Sequence, residues 1–78
     1  MEIFIARLYR FGGVLEVPAR TEEEARALLI DAYIKTYIDF NGVHPSEEVG
    51  RYGDSYLNEA ISDIEIDKME LGIVTVLL

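Results

Sequence analysis

The sequence contains no cysteine and one histidine, and its seven basic residues face fifteen acidic ones. Because cysteine is absent, disulfides and thiolate metal sites are excluded. No apolar stretch approaches the roughly 18 residues that a membrane span requires, and no basic region precedes the apolar run that starts at Ile3. We therefore expect a cytoplasmic protein with neither a signal peptide nor a membrane anchor.

What the sequence does contain is enough apolar material for one hydrophobic core. Half of its 78 residues are apolar, including five tyrosines and three phenylalanines. A disordered tail of this charge would carry far fewer of them. A chain of this length has room for one core and no second domain, so residues 1–78 are predicted to form a single folded domain.

The negative charge is concentrated in the second half of the chain. The formal net charge is −8, and residues 1–39 hold seven acids and five bases, a net of −2. Residues 40–78 hold eight acids and only Arg51 and Lys68, a net of −6. Phosphates attract lysine and arginine, so this balance argues against direct binding to nucleic acid or to an anionic membrane. A basic protein surface or a cation fits better.

The N-terminal residues have the pattern of a β-hairpin. Apolar residues alternate from Ile3 to Tyr9, and Phe11-Gly12-Gly13 supplies the positive φ angles that a tight turn needs. The returning strand is predicted from Val14 to Val17, and Pro18 is expected to end the ladder because it lacks a donor. Both faces of the first strand carry apolar residues. We therefore expect this strand to lie inside the sheet, with something covering its second face.

A long helix is predicted next. Thr21-Glu22-Glu23-Glu24 has the form of a capping box, the helix continues to about Phe40, and Asn41-Gly42 is a stop signal. At 100° per residue its apolar arc is about twice the width that packing on a sheet alone requires. One apolar face holds Ala25, Leu29, Ala32, Tyr33 and Phe40. The adjacent face, which either the region after Gly42 or a second copy would cover, holds Ala27, Ile30, Ile34 and Ile38.

The rest of the chain is predicted to close the sheet. Residues 43–58 have helix-start cues separated by glycines, which indicates a loop with one or two short helical turns. Alternation from Asp63 to Asp67 predicts a strand, and the apolar run from Gly72 to Leu78 predicts another. The fold class expected is α+β: a small antiparallel sheet of three or four strands, in the order ββα(loop or short helix)ββ, packed on one long helix.

The predicted Asp63–Asp67 strand places three carboxylates on one face about 7 Å apart. They have three interpretations. The acids can simply solvate a half-buried strand and discourage edge pairing. They can bind a metal, although the spacing of an EF-hand loop is missing. They can imitate nucleic acid, although about 14 Å of duplex shows about eight charges where this strand shows three. Mimicry would require acids from the preceding loop to fold beside them.

Tyrosines accompany these acids. Tyr52 and Tyr56 lie in a glycine-flanked segment, which fits an exposed recognition loop, although tyrosine is also common at core edges. His44 lies in a turn-like string without a nearby nucleophile, so we expect a loop histidine, no cofactor, no metal site and no enzymatic activity. The residues predicted to contact a partner are Glu47, Glu48, Tyr52, Asp54, Tyr56, Glu59, Asp63, Glu65, Asp67 and Glu70.

The order of strand, Gly-Gly hairpin, strand, Thr-Glu-Glu-Glu-Ala helix and acidic closing strand resembles that of small acidic accessory proteins of phages and plasmids, including anti-CRISPR inhibitors. The resemblance implies a protein that blocks a host nucleic-acid-processing enzyme by occupying its basic surface. It assigns no role to an individual residue. The function predicted is thus non-catalytic binding to a partner with a basic surface. The alternative is a self-associating structural or regulatory module, dimerising through Ile30, Ile34 and Ile38 or through the strand from Gly72 to Leu78.

Overall fold

A computed structural model describes residues 2–70 of the chain. Strands β1 (Glu2–Arg10) and β2 (Gly13–Ala19) are followed by helix α1 (Glu22–Asn41), a short 3-10 helix (Pro45–Glu47), helix α2 (Tyr56–Asp63) and strand β3 (Glu65–Glu70). The three strands form one antiparallel sheet in the order β2-β1-β3. The α+β class, the central position of β1 and the packing of one long helix on the sheet are therefore confirmed.

The hairpin between β1 and β2 has a two-residue turn. Arg10 pairs with Gly13, and both intervening residues have positive φ angles, 57° at Phe11 and 74° at Gly12. Two positive φ angles define the type I′ turn, whose twist matches that of the flanking strands. The predicted string Phe11-Gly12-Gly13 therefore contains the turn: its first two residues provide the positive angles, and Gly13 is the first residue of β2.

Strand β2 continues through Pro18, contrary to the prediction that proline ends it. Pro18 lies opposite Ile5, and the strand extends to Ala19. Counting from the tight turn, every second pair of this ladder exchanges no hydrogen bonds, and the pair of Ile5 and Pro18 is one of them. The missing N–H of Pro18 therefore points away from β1, toward the outer edge of the sheet. A proline on an edge strand removes no ladder bond when it is placed in this way.

Helix α1 has the ends that the sequence predicts. The Thr21 hydroxyl accepts a hydrogen bond from the backbone N–H of Glu24 at 3.0 Å. The Glu24 carboxylate accepts from the N–H of Arg20 at 3.4 Å, one residue earlier than in a capping box. At the other end Gly42 adopts φ 75°, and its N–H donates to the carbonyl oxygen of Ile38 at 2.7 Å. This left-handed residue stops the helix.

The core lies between α1 and one face of the sheet. The helix buries residues at strict four-residue spacing, and α2 adds one small residue. Phe40, which was predicted to share the buried face, is 71% exposed. The fully or nearly buried core residues are Ala6, Leu8, Ala19, Ala25, Leu29, Tyr33, Tyr37 and Ala60.

The opposite face of the sheet is not covered by any part of residues 2–70. We call it the open sheet face. It was expected to be covered, because the outward residues of β1 are largely apolar. Strand pairing places ten residues on it: Ile3, Ile5, Arg7, Tyr9, Val14, Glu16, Pro18, Glu65, Asp67 and Met69.

The region after α1 departs from the prediction in the length of one helix and in the bounds of one strand. The short helical turns expected within residues 43–58 are the 3-10 helix and the start of α2, but α2 continues to Asp63, which is the last residue of that helix and not the first of a strand. Strand β3 begins at Glu65 and continues past Asp67, the predicted end of the strand, to Glu70. The strand predicted from Gly72 to Leu78 lies outside the described residues.

Candidate functional site

An open groove of about 330 Å³ lies beside α2, and it is lined by Tyr52, Asp54, Glu59, Ser62 and Asp63. We call it the acidic groove. Four of the ten residues predicted to contact a partner meet here, although they are spread over twelve positions of the sequence. Tyr52 is 84% exposed, so its ring is available as an anchor.

Backbone hydrogen bonds shape the segment that carries the first two of these residues. Val49 and Ser55 form an isolated antiparallel bridge, and between them the N–H of Gly50 donates to the carbonyl oxygen of Asp54 at 2.7 Å. Gly53 donates to Gly50 at 3.1 Å and adopts φ 84°. The predicted glycine-flanked loop is thus a small closed turn, and its glycine geometry fixes where Tyr52 and Asp54 lie.

Asp54 is held by the start of α2. Ser55 caps this helix by accepting from the N–H of Asn58 at 3.1 Å. The Asp54 Oδ1 atom accepts from the N–H of Ser55 and from the Asn58 side-chain amide, both at 3.0 Å. One carboxylate oxygen of Asp54 is therefore used to orient the side chain. Its position at a helix start also places the negative charge where the helix dipole favours it.

Glu59 lies one turn further along α2, against Gly50. A β-carbon built on Gly50 would lie 2.3 Å from Glu59 Oε2, so any other residue there would displace the carboxylate. Glu59 Oε2 is buried and has no hydrogen-bond partner among residues 2–70. Within the same residues, no group of three or more histidine, aspartate or glutamate side chains is arranged to hold a metal ion.

Asp63, at the end of the groove, is partly neutralised by the first strand. Its Oδ2 atom lies 2.6 Å from Nη2 of Arg10. Arg10 also donates through Nη1 to the carbonyl oxygen of Tyr9 at 2.8 Å, which fixes the guanidinium between hairpin and helix. In the described part of the chain, the groove acids without an ion pair are therefore Asp54 and Glu59.

The other predicted contact residues lie elsewhere. Glu65 and Asp67 are on the open sheet face, where the Asp67 carboxylate accepts a hydrogen bond from Arg7. Glu70 pairs with Glu2, five residues and about 17 Å along β3 from Glu65. Glu47 belongs to the 3-10 helix. The single row of carboxylates expected from Asp63 to Asp67 is thus wrong, because Asp63 belongs to a helix and only Glu65 and Asp67 alternate along β3.

Tyr56 and Glu48 connect residues 48–56, which we call the groove segment, to α1. The buried Tyr37 donates its hydroxyl proton to the Glu48 carboxylate, and its ring centroid lies 5.9 Å from that of Tyr56. Tyr33 donates to the carbonyl oxygen of Tyr56 at 3.4 Å, and its ring lies 5.8 Å from that of Tyr37. These contacts make Tyr56 a core-edge residue. They hold the two ends of the segment that carries Tyr52 and Asp54.

The stability of the protein is expected to fall as pH rises above 10. Burial first, and then the hydrogen bond to Glu48, raise the pKa of Tyr37 above its ordinary value of 10.0. Burial also raises the pKa of Tyr33. An unfolded chain therefore loses these protons at a lower pH than the folded one, so the tyrosines contribute fully below pH 10 and progressively less above it.

Urea unfolding at intervals between pH 8 and pH 11.5 measures this effect. The midpoint urea concentration should fall above pH 10 in the wild type. The fall should be smaller in Tyr37→Phe, which has no hydroxyl to titrate while the other alkaline groups remain. Equal falls in the two proteins would contradict the assignment.

The residues that sequence reasoning missed are the arginines of β1. Arg7 and Arg10 lie far from the acids in sequence, and strand pairing and the α2–β3 connection bring them to Asp67 and Asp63. Ser62 was also missed, and its hydroxyl donates to the carbonyl oxygen of Asn58 at 3.1 Å. The alternation of β1 identifies the face on which Arg7 lies, but no local signal gives its partner.

The residues of the alternative dimer interface are only partly exposed. Ile34 packs against the core, Ile30 is half-buried and Ile38 is 39% exposed. The second segment suggested for dimerisation, from Gly72 to Leu78, is not among the described residues. No helix within residues 2–70 has the length and apolar character needed to cross a membrane.

Comparisons with protein-family models, with curated proteins and with solved structures find no match to this chain.

Proposed function

We propose that this protein is a non-catalytic acidic binding protein that uses the acidic groove to hold Lys or Arg side chains of a partner protein. The observation that carries this proposal is the meeting of Asp54 and Glu59 beside the exposed Tyr52 ring. Two carboxylates without intramolecular ion pairs attract cations, and an adjacent aromatic ring can pack on the stem or guanidinium of the bound side chain.

The chemistry of the groove supports binding more than catalysis. Its serine hydroxyl, Ser62, donates to the backbone carbonyl of Asn58 within its own helix. Asp63 is tied to Arg10. Two remaining carboxylates match two cationic side chains, which is far below the charge density of a duplex. The contact we propose is therefore local and does not imitate a length of nucleic acid.

The finer proposal concerns the partner. Following the resemblance to phage and plasmid inhibitors, we propose that the basic surface belongs to a nucleic-acid-processing effector and that the protein modulates it by occupying phosphate-binding side chains. Such an effector should release labelled DNA when the protein is added. Undisturbed DNA binding by an effector that does bind the protein would argue against this mode of inhibition.

The acidic groove predicts a specific response to loss of charge. The double variant Asp54→Asn, Glu59→Gln removes two charges while keeping side-chain size and the Asp54 acceptor oxygen. We expect it to weaken binding of a nona-arginine peptide about tenfold or more, because close interfacial charge pairs are worth upward of about 1.5 kcal/mol. Isothermal titration calorimetry at low and physiological salt measures the affinity.

A matched control separates the groove from net charge. Glu23→Gln, Asp39→Asn removes the same two charges from exposed positions near the two ends of α1. If the groove is the site, this variant should bind within about twofold of the wild type, since distant surface charges are largely screened. Equal weakening by both double variants would show attraction to overall charge and would overturn the proposed site.

A further inference from the structure

The open sheet face is a second surface that the proposed function does not use. Antiparallel sheets that face water usually carry polar residues on the exposed side. Here the outward residues of the central strand include Ile3, Ile5 and Tyr9. The two isoleucines are half-buried, while Tyr9 is 57%, Val14 47% and Met69 46% exposed. Clusters of exposed apolar side chains, here one at each end of the face, typically mark an interaction surface.

A recess that can accept a large side chain lies at the hairpin end of the sheet, and Tyr9 and Val14 of the open sheet face border it. The recess has a volume of about 550 Å³ and is lined by Tyr9, Arg10, Gly12, Gly13 and Val14. A β-carbon built on either glycine would have no atom within 4 Å, so the hairpin backbone itself borders an open space. Tyr9 and Val14 pair directly across the hairpin and supply the apolar surface.

The middle of the open sheet face carries an acidic row. Arg7 lies at its centre, with Nε 2.5 Å from Glu16 Oε2 on one side and Nη1 bonded to Asp67 on the other. Glu65 also lies opposite Arg7 on β3. Three carboxylates surround one guanidinium, a net charge of −2. The face is therefore apolar at both ends and acidic in the middle.

This distribution of charge and apolar surface determines which partner the face can bind. A second copy placed face to face would bring another net −2 against the first, and like charges at an interface cost free energy. A cationic partner is attracted by the same carboxylates that repel a second copy. The partner must also present apolar side chains to the apolar ends of the face. An amphipathic helix provides them in one stripe, and such helices commonly cover sheet faces, as α1 covers the other face here.

We propose that the open sheet face docks a basic amphipathic α-helix of another protein. Its apolar side chains contact Ile5 and the recess between Tyr9 and Val14, and its Lys or Arg side chains meet Glu16 and Glu65. Ile5 and Tyr9 are four residues apart, about 14 Å along the strand, which corresponds to about nine residues of helix. Apolar anchors at that separation, with basic residues between them, define the helix recognised.

The test uses a peptide of about 14 leucine and lysine residues arranged with helical periodicity, and a scrambled peptide of the same composition. Calorimetry should show that the wild type binds the amphipathic peptide at least about tenfold more tightly than the scrambled one. The double variant Tyr9→Ser, Val14→Thr should lose most of that preference, while Leu28→Gln, on an exposed position of α1, should keep it. Circular dichroism confirms that each variant is folded.

Three outcomes would overturn the docking surface. Equal affinity for the two peptides would show that charge attraction alone accounts for peptide binding. A concentration-dependent dimer in sedimentation equilibrium, lost in Tyr9→Ser, Val14→Thr, would assign the face to a second copy. Methyl NOEs between Ile5 and the valines at positions 74 and 76 in the free protein would assign it to the chain itself. The acidic-groove variant Asp54→Asn, Glu59→Gln should retain the peptide preference, so the two proposed surfaces succeed or fail separately.

Discussion

Leu29→Ala is expected to lower the free energy of unfolding by about 3–5 kcal/mol. Leu29 is 0% exposed and lies in the middle of the buried stripe of α1. The substitution removes buried methyl groups and leaves a cavity between the helix and the sheet. A domain of 78 residues has a total stability of about 4–12 kcal/mol, so the variant should lose at least about a quarter of it.

Leu28→Ala is the control for Leu29→Ala, because the neighbouring leucine is 48% exposed. It removes the same atoms from the same helix, but about half of their surface is already exposed and no enclosed cavity is left, so the expected loss is only about 1 kcal/mol. Urea unfolding followed by circular dichroism measures both. Comparable losses in the two variants would contradict the packing of α1 on the sheet.

Tyr37→Ala is expected to cost about 3 kcal/mol and to loosen the acidic groove more than the sheet. Tyr37 is 7% exposed, and it contacts the groove segment twice, through the hydrogen bond to Glu48 and through the ring of Tyr56. The variant leaves the hairpin and the Thr21 cap intact. Amide hydrogen exchange should therefore accelerate over residues 48–59 before it accelerates in β1 and β2.

Two further substitutions help to interpret the effect of Tyr37→Ala: one isolates the hydroxyl group, and the other is a control at an exposed tyrosine. Tyr37→Phe removes only the hydroxyl and should cost about 1.5 kcal/mol, the lower end for a hydrogen bond to a charged group, because the acceptor is the Glu48 carboxylate. Tyr52→Ala truncates a tyrosine that is 84% exposed and should leave stability nearly unchanged. Uniform acceleration of exchange in Tyr37→Ala would show that Tyr37 supports the whole core and does not hold the groove segment in particular.

The N-terminal half of the fold could be predicted because its signals are local. A two-residue turn containing Gly12, a threonine cap at Thr21 and a left-handed glycine at Gly42 each act over about four residues. The extension of β2 through Pro18 could not be predicted in the same way. Whether proline is tolerated depends on the edge position of β2 and on which pairs exchange hydrogen bonds, and both follow from the assembled sheet.

The sequence predicts a short helical turn within residues 43–58 but not the extension of helix α2 to Asp63, although the helical pattern of that extension is present. Leu57, Ala60, Ile61 and Ile64 recur at helical spacing, and three of them pack in or against the core. The same Ile64 also alternates with Ile66, so one apolar residue satisfies the helical and the strand periodicity. Ser55 as a cap favours the helix. The chain changes from helix to strand at Ile64, and the alternating acids make the strand appear to begin two residues too early, at Asp63.

The candidate site was predictable in composition but not in arrangement. The excess acid of the second half is real, yet tertiary contacts sort its members into different environments. Asp63 and Asp67 are paired with arginines of β1, while Asp54 and Glu59 remain together in the groove. Strand register and the turn at residues 49–55 determine which acids pair with arginine and which lie in the groove. Neither can be predicted from the spacing of acids along the chain.

The most direct test of the acidic groove is a ¹H–¹⁵N correlation spectrum of the wild type during titration with nona-arginine. We expect the largest shift changes at Tyr52, Asp54, Glu59 and Ser62, and we expect them to weaken as salt is added. Shift changes spread evenly over the exposed acids of α1 and the groove, or concentrated away from residues 52–63, would contradict it.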